Sequence, residues 1–467
     1  MFDLNSRKFI FLLALVCFTL SLILIFLSTG TYDPGDGVQH YLIAKHALTH
    51  PLLLLDHWGK PIFTLLCMPF AQGGFIGSNI YNLICNTATS LFAYQIAQKL
   101  GFKNAWICFL LVFFSPLFFI TNFSGLTEPT FALILSASVL LMMHQKYYWG
   151  ALLISFLPFA RTEGFFIVPL FAVYLILQKQ WKAIFLTGFA TITYSAIGWF
   201  ILNDFFWILH QNPYKGAFHI YGKGPLMHFV AANDRLFGLP LVVLYILGVI
   251  RLMLHKQQNI QHKQAFYWLI LCSFVVYFVL HSVFWWKGLF GSLGLHRVMA
   301  GVAPMFSIVA FLGYNLLDEF LKSKKYIHKA LLFIVVAAVV LYPFKQYKPP
   351  LKPDTEMQVL INTAQWIKAN KITVNQKVYC MYPLLAMLLD VDVFQDKKYI
   401  STCMLQYTDF SHALLPGDLI IWDAHFGKEC GFTADNIAQL PHVKKVAHFN
   451  NQGISDKAFE VFVFVVE

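Results

Sequence analysis

Apolar runs of membrane-crossing length recur along this chain, beginning with FIFLLALVCFTLSLILIFLS at residues 9–28. A helix needs about 20 apolar residues to cross the hydrocarbon core. Runs near that length fall at residues 9–28, 79–98, 105–121, 130–144, 148–160, 165–178, 183–203, 238–254, 265–284, 298–317 and 330–346. A further stretch, residues 61–72, is too short to cross. Hydrophobic residues make up 58% of the 467 positions and charged ones 12%, more apolar surface than a soluble fold can hide. The expected class is a mainly α polytopic membrane protein of about eleven spans, with 148–160 and 165–178 as either two spans or one re-entrant hairpin.

Charge orients the spans. The net charge of +11 resides in residues 1–349, with 24 Lys and Arg against 10 Asp and Glu; residues 350–467 carry 10 against 13. Arg7, Lys8, Lys99, Lys103, Lys146, Lys179, Lys182, Arg251, Lys256, Lys263, Lys322, Lys324, Lys325 and Lys329 fall at alternate span ends, against Asp3, Asp318 and Glu319 as the acidic residues among them. By the positive-inside rule those ends are cytoplasmic. Eleven spans then place the tail outside, as expected of a bacterial inner-membrane protein whose polar loops and tail face the periplasm. The excess charge reads as an orientation signal rather than a nucleic-acid footprint. The first run is longer than a signal-peptide core and lacks an A-x-A site, so it reads as an uncleaved anchor.

Two domains are expected: a membrane domain at 1–349 and an extracytoplasmic α/β domain at 350–467. In the tail, TEMQVLINTAQWIKAN has a helical period, while KVYCMYP, DLIIWD and FEVFVFVV read as strands. No GxGxxG or P-loop occurs, so nucleotide binding has no support. Cys17, Cys67, Cys85, Cys108 and Cys272 lie in apolar segments; Cys380, Cys403 and Cys430 leave an odd number in the tail and suggest no disulfide framework.

The scarce charges gather on the outer side. Asp33, Asp36, Asp56 and Lys60 lie in the first outer loop, Glu128 at the mouth of the fourth span, and Arg161 and Glu163 between the fifth and sixth. Lys215, Lys223, Asp234 and Arg235 lie in a long outer loop, with His296 and Arg297 at the mouth of the tenth span. Ionisable groups at a membrane are costly and mark a site. In DPGDGVQHY, Asp36 either caps a helix from Gly37, with Gln39 completing a capping box, or stands free to accept a proton. Asp33, Asp36 and His40 holding a divalent metal is a less favoured alternative, because no third acid is nearby in sequence. In HWGKP, Trp58 and Lys60 suit interfacial anchors, while His57 and Lys60 equally suit a phosphate. LTEP reads as a helix start with Thr127 as cap and Glu128 in the first turn. Arg161 in ARTEG matches either a phosphate or a structural carboxylate, and LHR offers a similar cation pair. WDAHFG, residues 422–427, reads as loop architecture.

DPGDGVQHY, DHWGKP, LTEP, ARTEG and LHR, taken with the span count, resemble the GT-C superfamily of integral-membrane glycosyltransferases, in particular polyprenyl-phosphate-sugar-dependent, mannosyltransferase-like hexosyltransferases. The resemblance implies inverting transfer of a sugar from a polyprenyl-phosphate donor to a lipid, glycan or protein hydroxyl, with no cofactor. It implies Asp36 or Asp33 as the catalytic acid, and Arg161, His296, Arg297 and Lys60 around the donor phosphate. His40, His57, Glu128 and Glu163 are the further substrate-binding candidates. A lipid or glycan transporter or flippase is the alternative, as is a non-catalytic assembly protein. Against transport, the polar residues cluster at outer mouths rather than at midplanes, and no inverted repeat is visible.

Overall fold

The computed structural model describes residues 7–214, 222–254, 260–322, 328–370, 377–395, 398–452 and 458–467; Asp3, Lys215, Lys256, Lys324 and Lys325 lie outside them, as does the Cys430 side chain. Every apolar run of the sequence forms helix, from Arg7–Leu27 to His328–Tyr347. Among the described residues five helices are long and apolar enough to cross a membrane, or six if one bent pair is a single span. Glu128–Met143, Tyr147–Ala160, Gly164–Leu177 and Leu239–Leu254 are apolar but shorter. Length and composition therefore leave the count of eleven unconfirmed. Phe185 and Phe200, both 82% exposed, show the apolar outer faces that such helices turn to lipid.

The expected run 105–121 is broken: Trp106–Phe113 and Pro116–Phe123 meet at 66°. Pro116 has no N–H for a continuing ladder and disfavours helical backbone before it. Helix Phe75–Lys99 supplies hydrogen bonds around the break. Asn82 Nδ2 donates to the carbonyls of Thr121 (3.2 Å), Ser124 (2.6 Å) and Leu126 (3.1 Å), and Asn86 Nδ2 to that of Phe118 (2.7 Å). Leu239–Leu254 and Ala303–Leu321 cross in backbone contact, because a Cβ on Gly313 would stand 1.8 Å from Leu244 O. At the basic end, Gln261 N donates to Leu100 O (3.3 Å) and Gln264 hydrogen-bonds to Gln178, joining loops that carry Lys99, Lys179 and Lys263.

The tail is a small α/β domain. Five strands, β1 (Val378–Tyr379), β2 (Tyr399–Ile400), β3 (Leu419–Asp423), β4 (Val443–Asn450) and β5 (Glu460–Val466), lie in the order β2-β1-β3-β5-β4. The β2-β1-β3 pairs are parallel and β3-β5-β4 antiparallel. Asp354 caps helix Thr355–Ala369 by accepting from Met357 N at 2.8 Å. The sequence reading missed β2 and β4: β2 is two residues long, and VKKVAHFN is an edge strand too polar to stand out. It also misjudged the tail thiols, since Cys403 is disulfide-bonded. The domain's apolar core does not end at residue 350. Val38, Tyr41, Leu42 and Ala44 of helix Asp36–His46 belong to the same buried cluster as Leu360, Leu385, Ile421 and Val463.

Candidate active site

Helix Asp36–His46 begins one residue earlier than DPGDG suggests, with Gly35 at its N-cap. Asp33 does the capping: its Oδ1 accepts from Gly37 N at 2.9 Å, while Gly35 O accepts from Gln39 N. The capping box expected of Asp36 and Gln39 does not form, because Asp36 is already inside the first turn. Asp36 is thereby released from backbone duty. Its side chain is 39% exposed against 12% for Asp33, so Asp36 is the more accessible of the two acids. The guanidinium of Arg297 bridges the two, Nη1 to Asp33 and Nη2 to Asp36. A Cβ on Gly125 would meet Gly37 O at 2.2 Å, so a glycine lets the first loop and the LTEP loop touch.

These loops wall a cavity of about 670 Å³ into which Asp36, His40, Lys60, Glu128, Arg161, Glu163 and Arg297 converge. Trp58, Phe165, Phe166, Phe284 and Phe290 supply apolar walls. Arg161 is held between acids, Nη1 donating to Glu128 Oε1 (2.6 Å) and Thr127 Oγ1 (3.3 Å), Nη2 to Glu163 Oε1 (2.8 Å). His281 Nε2 lies 3.3 Å from the same Glu163 oxygen. Burial would raise the Glu163 carboxyl, but Arg161 and His281 outweigh it and hold it well below the usual range. Glu128 starts its helix as LTEP implied, yet it is fully buried and its Oε2 has no hydrogen-bond partner among the described residues.

Lys60 is the cavity cation with no carboxylate partner among the described residues. Its Nζ donates to Tyr214 OH (2.8 Å), Thr162 Oγ1 (3.3 Å) and His57 O (3.2 Å). Its backbone sits at φ 63°, a strained conformation for a side-chain-bearing residue and one that concentrates at functional sites. His40 stacks on Trp58 with centroids 4.4 Å apart. Burial, reinforced by Lys60, Arg297 and Arg161, holds its imidazole well below the ordinary value, so it faces the cavity neutral. His57 stands behind the wall against Trp207, and burial with Lys60 nearby pushes it down to about 4.

His296 is not brought to the cavity; it packs against His228 with centroids 5.0 Å apart. Lys223, Asp234 and Arg235 do not line it either. Sequence reasoning took Thr127 only as a helix cap and missed Thr162, Tyr214 and His281, for which the signal was slight: single polar residues inside the ARTEG motif, in the long outer loop and within an apolar run. In WDAHFG, Asp423 Oδ1 accepts from the backbone of His425 (3.0 Å) and Phe426 (2.7 Å), the loop architecture expected. Burial pushes the nearby Glu429 carboxyl up; His425 opposes this and Asp36 adds to it. Among the described residues no group of three or more His, Cys, Asp or Glu is placed to hold a metal ion.

No family model matches this sequence, and no curated protein does. Solved structures do. The crystal structure of ArnT from Cupriavidus metallidurans bound to undecaprenyl phosphate matches with a TM-score of 0.62 over 97% of each chain, at 11% identity. The apo state of that protein matches over the same shares with a TM-score of 0.58, also at 11% identity. Coverage of this extent takes in both the helical part and the tail. The chain thus shares the fold of ArnT along nearly its whole length.

Proposed function

We propose that this protein transfers a sugar, as a hexosyltransferase, from a polyprenyl-phosphate-linked donor to an acceptor hydroxyl at the outer face of the membrane, with inversion. The observation that carries the reading is Asp36, a carboxylate free of capping duty at the wall of a cavity that also holds Lys60, which has no carboxylate partner among the described residues. The neighbour of the same fold binds undecaprenyl phosphate, which supports a polyprenyl-phosphate donor here. The disulfide of Cys403 fits a tail in an oxidising compartment, such as the periplasm.

The acceptor oxygen bonds to the anomeric carbon as the bond from that carbon to the phosphate oxygen breaks. Asp36 takes the hydroxyl proton, and the electron pair leaves with the phosphate. The leaving group needs no proton. Lys60 meets the charge it gains, with Tyr214 and Thr162 aiming the ammonium. Arg161 and Arg297 carry a different burden in this reading. Each is bound by two acids, so they hold Glu128, Glu163, Asp33 and Asp36 in place rather than offering free charge to a phosphate. Neutral His40 on Trp58 offers a hydrogen bond and a flat wall to a sugar. Transport is the weaker reading, because among the described residues the charged groups gather around one cavity.

The test is Asp36→Asn, with purified protein and radiolabelled polyprenyl-phosphate sugar. Asn keeps the shape but takes no proton, so transfer should fall about 10²–10⁴-fold while donor binding persists. Asp33→Asn keeps an acceptor oxygen for Gly37 and should be milder. Near-normal turnover by Asp36→Asn would move the base to Asp33, and unchanged rates in both would end the enzyme reading.

A further inference from the structure

Helix Asp36–His46 carries the base at its first residue, and the tail domain grips it at both ends. At the C-terminal end, Lys45 Nζ lies 3.0 Å from Asp390 Oδ1, and His50 Nε2, just beyond the helix, lies 2.9 Å from Asp392 Oδ2. His46 Nδ1 stands 3.4 Å from Asp392 Oδ1. The Phe394 ring packs on both imidazoles, its centroid 5.9 Å from that of His46 and 6.2 Å from that of His50. At the N-terminal end, the Phe426 ring reaches to 3.6 Å from where a Cβ on Gly35 would stand, one residue from Asp36. Phe426 is itself braced by Tyr382, with centroids 5.1 Å apart. Between the two ends, Val38 and Leu42 belong to the buried cluster that joins Phe63 and Tyr81 of neighbouring helices to Leu385 and Ile421 of the tail.

We propose that the tail domain is a positioning element of the transfer reaction, with Phe426 and Asp392 its contact residues, setting where the Asp36 carboxylate stands. The inference rests on the reading of Asp36 as base. Its physical basis is leverage. An eleven-residue helix is about 16 Å long, and each residue of axial slip turns its side chains by about 100°. The membrane domain holds the N-terminus of this helix through Asp33 and Arg297 and packs along it with helix Pro61–Ala71, while the tail bears on both of its ends. Phe426 and Asp392 touch no cavity surface, so they act on the reacting atoms only through the helix.

The experiment pairs kinetics with amide hydrogen exchange on the full chain in detergent. In Phe426→Ala/Asp392→Ala, residues 36–46 should exchange about tenfold faster than in the parent, while β3 and β5 keep their protection. The turnover number should fall by about 10- to 100-fold, since small misplacement of a reacting group has that effect, with the donor KM within about twofold. Phe426→Leu, which retains an apolar contact on Gly35, should restore most of both. Unchanged exchange over residues 36–46 with β3 intact overturns the proposal, as does faster exchange with an unaltered turnover number. Should the double variant also loosen β3, Asp392→Asn alone is held to the same criteria. If the parent protein transfers no sugar, the glycosyl-transfer reading fails, and the exchange measurement alone decides whether the tail grips the helix.

Discussion

Arg161→Ala should damage stability first and activity only as a consequence. The guanidinium is 13% exposed and bonds Glu128 at 2.6 Å and Glu163 at 2.8 Å, their side chains 1% and 17% exposed. Removing it leaves two carboxylates facing each other in a low-dielectric wall, one of them with an oxygen that already lacks a partner. Breaking one partner out of a buried pair costs about 3–5 kcal/mol. An exposed pair such as Lys45 with Asp390, where the acid is 81% exposed, is worth about 0–1 kcal/mol. Unfolding in mixed micelles, by titration with a denaturing detergent, measures both. Arg161→Ala should lose several times what Asp390→Asn loses. Adding Glu128→Gln to Arg161→Ala should recover part of the loss, with a coupling of about 1–3 kcal/mol. If Arg161→Ala unfolds within about 1 kcal/mol of the parent yet no longer uses the donor, the guanidinium serves the substrate and the structural argument is wrong.

Lys60→Met should lower kcat/KM for the donor by about 10- to 100-fold, the worth of one charged hydrogen bond, with Lys60→Arg intermediate; an unchanged kcat/KM would remove Lys60 from the phosphate. In the tail, burial pushes Asp423 from 3.8 up to about 6, so the folded domain binds this proton more tightly than the unfolded chain does. Its stability contribution is full below the unfolded value and is lost as pH rises from about 4 through about 6, a total of about 3 kcal/mol. Asp423→Asn should flatten that fall in a pH series of melting temperatures; an identical slope in the variant refutes the assignment. For topology, Thr49→Cys and Lys444→Cys should both react with an impermeant thiol reagent in intact cells, and Lys103→Cys should not. Labelling of Thr49→Cys without Lys444→Cys would break the common side for loop and tail.

Much of this protein is local and therefore legible in its residues. Apolar runs form helices because a bilayer leaves the backbone no other partner, and the chain is helical along them. LTEP starts a helix at Glu128 as read, although Thr127 at the N-cap turns its hydroxyl to Arg161 instead of capping, and Asp354 caps the tail's first helix. What depends on partners distant in sequence was not legible. DPGDG offers two acids to one helix terminus, and the choice of Asp33 over Asp36 as cap turns on a backbone angle at Gly35 that no residue pattern encodes. The pairing of Arg297 with acids more than 250 residues away, of Arg161 with Glu128, and the lack of a carboxylate on Lys60 among the described residues were decided by the folded chain alone. The same holds for the division at residue 350, where charge composition changes but the apolar core continues into helix Asp36–His46. Charge balance within a cavity is a property of which side chains meet there, and only tertiary packing makes them meet.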